Sequence, residues 1–96
     1  RTVTITPVTR RLIDQVAGAS ASVAANYCEA NKAETKPAFR VKIATCRKEA
    51  QESRCFIRLL ASAVDQRDDE LRVHWKEADE LTRIFARIFR RCNPLG

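Results

Sequence analysis

Three carboxylates, Glu29, Glu49 and Glu52, stand near the interior edge expected of a helical bundle, in the manner of carboxylate-bridged metal sites. Such sites draw one Glu from each of two helices and a Glu-x-x-His pair from each of the other two. The chain has one histidine, His74, and the residue three places before it is Leu71. The donor set lacks its imidazoles. The simpler reading pairs Glu49 and Glu52 with Lys48, Asn26, Tyr27 or a neighbouring subunit, so that no buried charge is left alone. Ser20, Ser22 and Ser53 lie among apolar neighbours without a His–Asp relay to activate them. Gly18 and Gly96 are the only glycines, so no phosphate-cradling loop exists. His74 beside Trp75 reads as a helix-face histidine. Neither a catalytic constellation nor a metal or cofactor motif emerges, and the chain is not expected to be an enzyme.

The basic residues carry more information. At about 100° per residue, Lys36, Arg40, Arg47, Arg54 and Arg58 fall within roughly 40° of one another on one helix. No acidic residue of that helix shares the band. Lys76, Arg83, Arg87 and Arg90 repeat the arrangement on the next helix, with Asp79 among them. Two such stripes could track the phosphates of RNA or DNA. Against that, they lack exposed aromatics for base stacking, and a charged stripe is also what a plain solvated face looks like. On the phosphate reading, changing Arg47 and Arg54 together to Glu is expected to weaken duplex and single-strand binding alike and to leave helicity nearly intact.

The elements that position these residues are long helices. Ninety-six residues with two glycines and three prolines make one small domain, 1–96, rich in helix formers. The net charge of +6 permits an acidic partner without naming one. No apolar run nears the roughly 20 residues needed to span a bilayer, and no signal-peptide pattern is present. Cys46 and Cys55 lie about 13 Å apart along one helix, too far to bridge. With Cys28 and Cys92 they are expected as buried free thiols of a reducing cytoplasm.

Residues 1–6 alternate like a strand but have no partner, and read as an extended lead-in. Thr6-Pro7 starts the first helix, whose apolar face is Leu12, Val16, Ala19, Val23 and Ala30. Its middle, "AGASASVAA", reads as a surface for close helix packing. After a turn over 31–35, a second helix runs over 36–64. Its seam is Phe39, Ile43, Cys46, Ala50, Ser53, Ile57, Leu60 and Val64, spaced alternately by four and three. A link over 65–68 leads to a third helix over 69–91, with Leu71, Trp75, Ala78, Leu81, Phe85, Ile88 and Cys92 inward. Residues 93–96 stop it. Short links imply antiparallel neighbours, and three helices with a small-residue face leave a groove for something else to fill. A second chain or a further helix is expected to cover Val16, Val23 and parts of the Phe39–Ile57 seam.

Two blocks, Ala25-Asn26-Tyr27-Cys28-Glu29-Ala30 and Lys48-Glu49-Ala50-Gln51-Glu52, appear with Gln15, Ser20 and Ser22 upstream and "EADELTRIFARIFR" downstream. Together they resemble the bacterial four-helix-bundle family encoded in intervening sequences of 23S ribosomal RNA genes. The resemblance spans about 7–91. The chain departs from the pattern in beginning after the family's first helix, and in having Gly18 where Arg is usual. The resemblance implies an all-α, up-down antiparallel four-helix bundle that assembles into homo-oligomeric rings, often pentamers. It also implies structural roles for Asn26, Tyr27, Glu29, Lys48, Glu49 and Glu52. A related accessory protein of diversity-generating retroelements associates with nucleic acid. The expected function is a homo-oligomeric adaptor that binds RNA or DNA without reading sequence. The alternative is a protein-interaction module that never touches nucleic acid.

Overall fold

A computed structural model describes residues 6–64 and 69–92. These form three helices, α1 (Pro7–Asn31), α2 (Lys36–Val64) and α3 (Asp69–Arg91), with no strand among the described residues. The lead-in before Thr6, the link over 65–68 and the stop after Cys92 lie outside them.

Local chemistry sets the ends. The Thr6 hydroxyl accepts the Thr9 amide at 3.1 Å, and Pro7 fills the first helical position, where its missing N–H costs nothing. The Thr35 hydroxyl caps α2 in the same way, accepting from the Ala38 amide at 3.1 Å. In α3, Asp69 and Glu70 occupy the first turn and Arg90 and Arg91 the last, each sign opposing the nearby end of the helix dipole.

The second helix is the central one. On one side Cys46 meets the Val23 carbonyl of α1. On the other, Arg40, Arg54 and Arg58 meet Phe89, Asp79 and Trp75 of α3. Advancing along α2 means going backwards along α3, so those two run antiparallel. The short turn from α1 into α2 reverses the chain in the same way. No described Cα of α1 comes within 8 Å of one in α3. The outline is elongated, 51 × 19 × 16 Å.

Ala30, Ile43, Cys46, Ala50 and Phe85 form the core cluster, with Val23, Phe39, Ile88 and Phe89 packed around it. The spacing of four and three on α2 is realised as burial: Ile43, Cys46, Ala50, Ser53, Ile57 and Leu60 are all enclosed. Two expectations require correction. Within the small-residue run only Ala19 is buried, because a run of that length circles the helix while α2 covers one side. A Cβ added at Gly18 would meet nothing within 4 Å, so that glycine serves no close approach. Gly18→Ala should therefore stabilise the helix by about 0.5–1 kcal/mol, read by thermal or urea unfolding. Leu81, placed inward by its spacing, is 40% exposed because it stands on the rim between α3 and α1.

Candidate nucleic-acid interface and the open groove

The side of α2 that meets α3 is the side that carries the Arg stripe. The stripe is therefore a seam before it is a surface. The Arg40 guanidinium lies 3.6 Å over the Phe89 ring, and its Nε donates to the Phe89 carbonyl oxygen at 3.3 Å. Arg54 pairs with Asp79, whose second oxygen receives Arg83 Nη2 at 3.1 Å. The Arg58 guanidinium stands 5.8 Å over Trp75. Lys36, Lys76, Arg87 and Arg90 remain exposed, and Arg47 is half-buried. Contacts with α3 thus join one residue of each predicted stripe, Arg54 and Arg83, through Asp79.

This arrangement corrects the double substitution. Arg54→Glu would set a carboxylate against Asp79, which is mostly shielded from solvent, so position 54 reports on packing as well as charge. Sequence reasoning noticed Asp79 among the cations but had no way to see its partner 25 positions away. It missed Phe89 altogether, and it missed buried Thr82, whose hydroxyl donates to the Ala78 carbonyl at 2.8 Å.

The family-motif residues divide differently. Asn26 Nδ2 donates to the Ser22 carbonyl at 2.9 Å and to its hydroxyl at 3.2 Å, holding α1 to itself. The Tyr27 ring tilts towards Phe85, centroids 6.1 Å apart. Glu29 and Lys48 are exposed, and Glu49 and Glu52 half-buried. Among the described residues neither an ion pair nor a side-chain hydrogen bond joins Glu49 or Glu52 to Lys48, Asn26 or Tyr27, and Asn26 bonds to Ser22 instead, so the pairing expected within the chain is not formed. His74 is exposed beside Glu77, 3.8 Å away. No group of three or more His, Cys, Asp or Glu among the described residues could hold a metal ion. No described helix is long and apolar enough to cross a membrane.

Because α1 and α3 stand apart, a groove opens between them with α2 as its floor. Val16, Ser20, Val23 and Tyr27 line one wall, and Ala78, Leu81, Ile84 and Ile88 the other. Its two stretches hold about 310 and 470 Å³. On the floor, the Ser53 hydroxyl is buried without a hydrogen-bond partner. Val16 and Val23, expected to need covering, do line this groove; the Phe39–Ile57 seam, expected to need it in part, is already largely buried against α1 and α3.

All four cysteines are free thiols, but burial holds only for Cys46: Cys92 is half-buried, and Cys28 and Cys55 are exposed because they lie on helix faces that no neighbouring helix covers. Burial pushes the Cys46 thiol up from its ordinary value, against smaller opposing effects of its backbone hydrogen bond and of Lys42. The thiol donates to the Val23 carbonyl at 3.7 Å. A raised acid favours the folded state fully below the unfolded pKa, and that contribution is lost as pH rises through the folded one. Cys28 and Cys55 should therefore react with a thiol reagent in the native protein, and Cys46 only after unfolding. The Cys46 contribution to stability should fade at alkaline pH, as urea unfolding across that range would show.

Compared with known proteins, the chain matches no family model, and neither a curated protein nor a solved structure shows significant similarity to it.

Proposed function

We propose that the chain is a non-enzymatic, self-associating helical-bundle adaptor that holds RNA or DNA by its phosphates. The face used is the one α2 and α3 share. One observation carries this reading: Asp79 holds Arg54 of the α2 stripe and Arg83 of the α3 stripe together, with Lys36, Lys76, Arg87 and Arg90 exposed on the same two helices. Phosphate contacts need charge and reach rather than a base-reading code, and this face supplies both.

The blocks shared with the intervening-sequence family support a four-helix arrangement, with a further antiparallel helix in the α1–α3 groove, and a cytoplasmic setting. The alternative, a protein-interaction module, is favoured by the Arg40, Arg54 and Arg58 contacts, which divert part of the stripe into packing. Retention on a nucleic-acid column across a salt series separates the two. Steeply salt-dependent retention supports the adaptor, and no retention even at low salt supports the module.

A further inference from the structure

The outer side of α2, opposite the core, carries a second run at the spacing of the first: Val41, Thr45, Lys48, Glu52, Cys55 and Leu59, alternately four and three apart. Of these, Val41, Lys48, Cys55 and Leu59 are exposed, and Thr45 and Glu52 half-buried. Val41 is 64% exposed and Leu59 48%, the ends of a stripe that a solitary surface helix would fill with charge. Lys48 and Glu52 sit four apart in the weaker of the two orientations, Lys first, and no ion pair joins them to each other or to another described residue.

The spacing of the run is symmetric about position 50, so that reversal sets Val41 against Leu59, Thr45 against Cys55 and Lys48 against Glu52. We infer that a second copy of the chain packs on this face, its α2 antiparallel to the first about a two-fold axis near that position. The pairing sets Val41 on the partner's Leu59, Thr45 on the partner's Cys55 and Lys48 on the partner's Glu52, and each pair occurs twice. Apolar ends meet apolar ends and each charge meets its opposite, as an isologous contact requires. A surface groove of about 540 Å³ bordered by Pro37, Val41, Ala44 and Phe89 opens where the partner's Leu59 arrives. One helix-on-helix contact is a small interface, so the association is weak and reversible. The basic seam lies roughly 100° round α2 from this run, so both surfaces can be occupied at once. An isologous contact closes at two copies, and an assembly built on it holds an even number of chains.

This inference rests on the reading that the chain self-associates, and its test separates the two. Sedimentation equilibrium of the wild type, Lys48→Glu, Glu52→Lys and the double exchange is run at low salt, with circular dichroism to confirm folding. Each single exchange faces like charges across the axis twice and should weaken association by about tenfold to a hundredfold. The double exchange restores opposite pairs and should recover wild-type association. Single variants that associate as the wild type does, or a double that stays dissociated, place the contact elsewhere and overturn the pairing alone. A monomeric wild type at every concentration overturns the pairing and the self-association together.

Discussion

Replacing Phe85 with Ala should lower the stability of the chain by about 3–5 kcal/mol and its melting temperature by roughly 15–30 °C. Phe85 is 5% exposed, packs with Ala30, Ile43, Cys46 and Ala50, and receives the tilted ring of Tyr27. It is the one ring among the fully buried cluster members, and Ala30 and Ala50 beside it have side chains too short to reach into the space it would leave. Most of the cavity term therefore persists. Domains of this size hold only about 5–15 kcal/mol in total, so the loss should be visible as partial unfolding near room temperature.

The neighbouring residue makes the contrast. Ile84 is 38% exposed on the wall of the α1–α3 groove. With the groove open to water, Ile84→Ala should cost no more than about 0.5 kcal/mol. With a further helix seated there, the cost should approach the 2 kcal/mol or more typical of an enclosed aliphatic chain. Urea midpoints of the two variants measure both quantities. A small loss at Phe85 would mean that the core is not where the packing places it. A small loss at Ile84 alone would remove the fourth helix from the arrangement.

The ends of the elements were legible because their determinants are local. Thr6, Pro7 and Thr35 act on amides within three residues, and α2's spacing of four and three needs only its own helix to be read. The order of packing was not legible. Nothing in the α2 seam says which neighbour lies on which flank, so the Arg stripe looked solvated although α3 lies against it. Leu81 shows the same limit from the other side. Its spacing matches that of Phe85, yet one borders a gap and the other fills the core, because the gap depends on α1 and α3 standing apart. Asp79 was seen as an acid within a basic stripe; its clamp between Arg54 and Arg83 could be read only once two helices were aligned.

That clamp decides how the basic face should be tested. Arg47 has no carboxylate partner among the described residues, and Arg87 is exposed on α3. Changing both to Glu should leave helicity and melting temperature nearly unchanged, since substitutions away from packed contacts usually stay within about 0.5 kcal/mol. Affinity for duplex DNA or RNA at 0.1 M salt should fall about a hundredfold. Each lost phosphate contact forfeits close to one decade at that concentration, and the log–log salt slope should flatten by about 2. Duplexes of unrelated sequence should lose affinity alike, because no base-reading group is being removed. Arg54→Glu serves as the contrasting variant. It confronts Asp79 with a like charge and should destabilise the fold by about 1–3 kcal/mol, so weaker binding there would be mixed with unfolding. Fluorescence anisotropy over a salt series, with circular dichroism on each variant, separates charge from packing. Affinity unchanged in the Arg47/Arg87 variant would return the stripe to a solvated face. A wild type that binds nothing at low salt would leave the protein-interaction module as the reading that stands.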